Sequence, residues 1–170
     1  MTKQGRNIVL FFGLLLIQLL VVDNIRLGNY IHPCIYVLFV MMLPLDMPRV
    51  RVLFLGFLMG FSIDLFEGTL GLHAAATTLM AFLRPGVINL VTGVRKVETF
   101  STPYIYEVGI PWFLRYSIVL MIIHNTALFF LETFNFRLVG ETFLRIVISV
   151  VVSEMVIMLS VLLFSRERKK

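Results

Sequence analysis

The sequence predicts an all-α membrane protein, a single integral domain over residues 1–170 folded as a bundle of six transmembrane helices. Three observations lead there. Hydrophobic residues make up 59% of the chain and charged ones only 15%, against about 45–50% and about 25% in soluble domains. A single core of 170 residues cannot hide that many Phe, Leu, Val and Ile side chains from water. The apolar residues also fall into six separate runs of near-spanning length. Finally, the basic residues that lift the pI to about 9.7 flank those runs instead of lining one face, which is a topology signal; no nucleic-acid partner is expected. The same composition excludes a disordered tail, and the single cysteine, Cys34, excludes an internal disulfide.

A helix crossing hydrocarbon needs about 20 mostly apolar residues, with a working range of about 17–25. The first span covers 8–22, interrupted only by Gly13 and Gln18. The residues after it, Asp23-Asn24-Ile25-Arg26, form no small-x-small cleavage site, so the span is expected to be retained. The second covers 30–45 with Pro33 near its start, the third 50–66, and the fourth 70–83, closed by Arg84-Pro85-Gly86. The fifth and sixth, 112–131 and 143–164, are comfortably long. The first four are short and are expected to borrow flanking residues, thin the bilayer or pack tightly.

Basic residues favour the cytoplasmic ends of spans. With the N-terminus inside, the cytoplasmic segments hold Lys3, Arg6, Arg49, Arg51, Arg84, Arg95, Lys96, Arg115, Arg166, Arg168, Lys169 and Lys170, leaving Arg26, Arg137 and Arg145 on the other side. Both termini are therefore expected in the cytoplasm, as an even number of spans requires. In the long connection after the fourth span, Val87, Leu90, Val91, Val94 and Val97 share one helical face. That pattern fits either an interfacial helix or a fourth span that continues past Pro85. Residues 101–111 read as a Pro-containing loop, with Tyr104, Tyr106 and Trp112 at an interfacial aromatic belt.

The third and fourth runs read together as a hairpin. Gly56, Gly60 and Asp64 are spaced i, i+4, i+8 and share one face; Gly71, Ala74, Ala75 and Thr78 form a small-residue face on the next helix. Small residues let helices approach closely in lipid. A carboxylate two residues before the end of a span is costly unless paired or hydrated. Asp64 and His73 flank the turn at similar depth, so a hydrogen bond between them is expected to pin it.

The stretch Gly56, Gly60, Asp64, Gly68, Leu70-Gly71 and Ala74-Ala75-Ala76 resembles the signature of MreD, the bacterial rod-shape-determining membrane protein family. The segments Leu43-Pro44-Leu45-Asp46-Met47-Pro48-Arg49, Arg84-Pro85 and Trp112-Phe113-Leu114-Arg115-Tyr116 also resemble family members, whereas Glu67 in the turn departs from the pattern. The resemblance implies a non-enzymatic scaffold or regulatory subunit of the cell-elongation complex in the bacterial inner membrane, controlling cell shape and peptidoglycan synthesis. The partners it implies are an MreC-like bitopic scaffold, a RodA-type glycan polymerase with its transpeptidase, and, indirectly, MreB filaments. It further implies a fold similar to the substrate-binding subunits of energy-coupling-factor transporters, which makes a vitamin-type transporter subunit the alternative function. Contacts with partners would run through helix faces, with Gly56, Gly60, Asp64, Gly68, Gly71, His73 and Ala75 as the partner-binding or packing set.

Polar groups inside the membrane are functional candidates by default. Gln18 lies in the first span, His124 and Asn125 near the middle of the fifth, and Glu154 near the middle of the sixth beside Ser149, Ser153 and Ser160. Glu154 with His124 is read as an interhelical lock or the lining of a polar pocket. No catalytic constellation is expected. Gly60-Phe61-Ser62-Ile63 lacks the last glycine of an intramembrane serine protease motif, and Asp64 is the only aspartate in a span. No metal is expected either, since His32 and Cys34 stand two residues apart, off a common helical face. No cofactor is implied.

Overall fold

The computed structural model describes residues 3–22, 32–93, 102–133 and 139–166. Regular structure among the described residues is helical throughout. Helix α1, Lys3–Ile17, continues as a π-helical stretch Gln18–Val22. A four-residue helix α2, Leu38–Met41, precedes α3, Arg49–Glu67. Helix α4 runs Leu72–Thr92, α5 is a single turn at Ile105–Val108, α6 runs Ile110–Thr133 and α7 Val139–Arg166.

Among the described residues, four helical stretches are long and apolar enough to cross a membrane: Gly5–Val22, Leu72–Thr92, Ile110–Thr133 and Gly140–Leu163. They correspond to the first, fourth, fifth and sixth runs. Their outer faces carry Phe12, Leu20, Phe82, Leu144, Met155 and Leu159, all largely exposed. A helix apolar on its outward face as well as its inward one belongs in lipid. Helix α3 has 19 residues but carries Arg49 and Arg51 at one end and Asp64 and Glu67 at the other, so its uninterrupted apolar part is shorter.

The second run departs most from expectation. Instead of one helix over 30–45, its described part has no regular structure from His32 to Ile35, then a turn, then the four residues of α2. Every residue from Pro33 to Pro44 is nevertheless buried, and Tyr36, Phe39, Met41 and Leu43 are among the largest fully buried side chains. Pro33 lacks a donor and holds His32 out of helical geometry, and Pro44 closes the segment. Unwound backbone at membrane depth is tolerated only inside protein, where other groups satisfy it. This segment is wrapped by α1, α3, α4, α6 and α7, and α4 forms the central wall, with α3 against one side and α6 against the other.

Helix α4 also settles the alternatives at Pro85. It continues through the proline to Thr92, so residues 87–92 extend the fourth helix; 94–101 lie outside the described residues. Arg84, expected as a cytoplasmic stop, is therefore inside a helix and is only 3% exposed. The connection expected as a loop over 101–111 contains α5, where the Glu107 carboxylate accepts from the Thr102 N–H and hydroxyl. Helix α6 begins at Ile110, and the Trp112 indole donates to Thr92 Oγ1 at 3.1 Å.

Candidate functional site

The α3–α4 hairpin is built around two left-handed glycines and one carboxylate. Gly68 ends α3 with φ 70° and Gly71 precedes α4 with φ 84°, a region open to glycine at little cost. The start of α4 has no capping side chain of its own. Asp64, one turn before the end of α3, reaches across to supply the cap. Its carboxylate accepts from the His73 N–H at 3.0 Å, the Ala74 N–H at 2.8 Å, Thr69 Oγ1 at 2.5 Å and His73 Nδ1 at 3.0 Å. The expected Asp64–His73 bond is present, with backbone capping added to it. Glu67, the residue that departs from the MreD pattern, approaches the other nitrogen of the same ring, Oε2 to Nε2 at 3.4 Å. His73 thus stands between two carboxylates.

Gly56 and Gly60 face inward. A Cβ on Gly60 would overlap the His73 carbonyl and meet Ala74 Cα at 2.6 Å; one on Gly56 would meet Ala81 Cβ at 3.0 Å. Both glycines are closed off by this chain's own α4, so of the two roles expected for them, partner binding or packing, their place is the second. They serve close packing within the hairpin.

The opposite side of the hairpin does have a groove, about 900 Å³ in volume, open outward along α3 and α4. Phe57 and Phe61, stacked with centroids 5.7 Å apart, form one wall together with Leu53. Ala74, Ala75 and Thr78 line the α4 side, with Gly71 and Asp64 at the turn end. Gly71, Ala75 and Asp64 thus reach the groove, whereas Gly68 is exposed at the turn without lining it.

The buried polar residues divide into separate tasks. Gln18 serves the unwound segment: its Oε1 accepts from Ile35 N–H at 2.8 Å and its Nε2 donates to the Pro33 carbonyl at 3.1 Å. Ser153 Oγ accepts from Cys34 N–H at 2.9 Å and Ser149 Oγ from His32 N–H at 3.2 Å. At the other end of the segment, Tyr116 donates to the Met41 carbonyl at 3.0 Å, and Arg84 donates to Met41 and Leu43 carbonyls and, through Nε, to Tyr116 Oη at 2.8 Å. His124 pairs through Nε2 with the Tyr36 hydroxyl at 2.9 Å. Glu154 instead accepts from Ser117 Oγ at 2.5 Å. The expected Glu154–His124 lock is therefore corrected: each has a different partner. Asn125 donates to the Met121 carbonyl of its own helix at 3.0 Å.

Sequence reasoning missed Tyr36, Arg84, Tyr116 and Ser117 as members of this network. The one signal that pointed to it was Pro33 near the start of a short run, since a proline there announces backbone groups needing partners from elsewhere.

No family model matches the chain, and no curated protein or solved structure matches it.

Proposed function

We propose that this protein is a scaffold or regulatory subunit of the bacterial cell-elongation complex, a multi-pass protein of the inner membrane resembling MreD, without catalytic chemistry of its own. In this reading the backbone crosses six times, with the unwound 32–44 segment as the second crossing, and both termini are cytoplasmic. Its partners are an MreC-like bitopic scaffold and, through it, a RodA-type polymerase with its transpeptidase, coordinated with MreB filaments. The observation that supports it is the outward groove on α3 and α4. Small side chains at Ala74, Ala75 and Thr78 beside Phe57 and Phe61 suit a single partner helix in lipid, where association depends on close van der Waals contact.

The transporter-subunit alternative calls for a ligand cavity lined by Gln18, His124 and Glu154. Among the described residues those three make separate contacts with backbone, Tyr36 and Ser117, and no observation favours that reading over the scaffold.

Cysteine cross-linking from position 75 in intact cells tests the proposal. The expected product is a covalent adduct with a single-span membrane protein of the elongation machinery, identified by mass spectrometry. Its yield should collapse when Thr78→Phe, on the half-buried groove wall, fills the groove while the protein still accumulates normally. Adducts with lipid or detergent alone, in cells where the elongation proteins are present, would overturn it.

A further inference from the structure

A second cavity lies at the other end of the α3–α4 pair. It has a volume of about 330 Å³ and is lined by Arg49, Val52, Arg84, Asn89 and, from the turn before α3, Leu45, Met47 and Pro48, among others. The antiparallel pairing sets its depth. Gly60 meets Ala74 and Gly56 meets Ala81, so Val52 lies near the level of Arg84 and Arg49 about one turn further out. The cavity therefore opens at the Arg49 end of the hairpin, and its deep wall is Arg84.

Arg84 is an unusual residue to bury. It is 3% exposed, and its hydrogen bonds go to the Tyr116 hydroxyl and to the Met41 and Leu43 carbonyls. All of these partners are neutral. The Asp64, Glu67 and Glu132 carboxylates serve His73 and Arg145, and none of the Arg84 hydrogen bonds goes to a carboxylate. A buried guanidinium is ordinarily matched by an anion. Nε and Nη2 are engaged, and the described residues offer Nη1 no acceptor. Arg49 adds a second cation on the exposed rim, and Asn89 an amide donor. The remaining lining includes Met47, Val52, Ala81 and Ile88, which are apolar.

We propose that this cavity binds a phosphate group: Arg84 and Arg49 hold its oxygens while the apolar lining packs against whatever the phosphate is attached to. A planar guanidinium matches phosphate oxygens in a way an ammonium does not. Basic pockets between helices near a membrane surface take lipid headgroups by this chemistry. The inference does not rest on the cell-elongation reading. The phosphate is supplied either by an anionic phospholipid or by a free phosphate in solution, and the two sources share the same contacts.

Native mass spectrometry of the purified full chain in neutral detergent tests it, with phosphatidylglycerol, the phosphate-free lipid diacylglycerol and inorganic phosphate as the probes. Selective retention of one phosphatidylglycerol per chain over diacylglycerol supports the lipid source. Retention of inorganic phosphate, with displacement of any bound phosphatidylglycerol by it, supports the soluble source. In either case Arg49→Ala, on the exposed rim, should weaken retention about five-fold with an unchanged unfolding midpoint. Arg84→Lys should weaken it further although the charge is kept; if that variant does not fold, Arg49→Ala decides alone. Equal retention of both lipids with no bound phosphate, or retention indifferent to Arg49→Ala, overturns the proposal.

Discussion

The Asp64 carboxylate lies across the hairpin from His73, 3.0 Å from its ring Nδ1 and 3.0 Å from its backbone N–H. One side chain near the C-terminus of α3 therefore does the work of an N-cap for α4, whose own preceding residue, Gly71, has no side chain to do it. The helices are joined electrostatically at the turn and sterically below it, through Gly60 and Gly56.

Removing that carboxylate leaves two backbone donors and the Thr69 hydroxyl without their acceptor in a buried setting. Asp64→Ala should cost about 2–3 kcal/mol, read as a lowered thermal midpoint in detergent. Glu67→Gln, at the rim of the same ring, should cost less than about 1 kcal/mol. If the two variants unfold at the same temperature, Asp64 is not the cap described here.

The glycine faces make an asymmetric prediction. Gly60→Ala forces a methyl into the His73–Ala74 backbone, so the hairpin must part; a loss of about 1–3 kcal/mol is expected. Gly13 has nothing within 4 Å of the same added atom. Gly13→Ala should therefore be neutral or stabilise α1 by up to about 1 kcal/mol. Equal behaviour of the two variants in thermal unfolding would count against the close α3–α4 contact.

Gln18→Leu removes the acceptor for the Ile35 N–H and the donor to the Pro33 carbonyl while keeping the side chain's bulk. Each buried group left without a partner costs about 1–3 kcal/mol. The Ile35 and Tyr36 amides, both near Gln18 Oε1, should lose protection in hydrogen exchange while amides in the middle of α6 keep theirs. Gln18→Glu, buried as the neutral acid, keeps an acceptor and one O–H donor and should fall between Gln18→Leu and the wild type.

Tyr36→Phe separates the two polar centres. It takes the hydroxyl from His124 Nε2 but leaves Thr77 Oγ1 3.4 Å from the same nitrogen, so a loss of about 0.5–1.5 kcal/mol is expected. Ser117→Ala acts on Glu154 alone. The two losses should add in the double variant within about 0.5 kcal/mol, as for sites with no shared partner. Strong coupling in that cycle would restore the Glu154–His124 connection.

Much of the architecture was readable because its causes are local. Hydropathy runs marked α1, α4, α6 and α7, since each crosses enough apolar residues in sequence to be recognised without its neighbours. The spacing of Gly56, Gly60 and Asp64 identified one face of α3, and the short turn brought Asp64 to His73, because residues close along a hairpin meet whatever the rest of the chain does. The second run misled for the complementary reason. Its composition suits a spanning helix, yet Pro33 leaves donors and acceptors that only distant residues, Gln18, Ser149, Ser153, Tyr116 and Arg84, can satisfy.

Composition and pattern alone thus marked out the helices long and apolar enough to cross a membrane and the pinned hairpin, because burial preference and helical period are properties of a segment. Packing alone assigned the polar partners: Glu154 to Ser117, His124 to Tyr36, and Arg84 to the Met41 and Leu43 carbonyls. Each of those pairings joins residues far apart in sequence. A polar group buried away from water takes whichever partner the fold brings within hydrogen-bonding distance, and spacing along the chain carries no record of that choice.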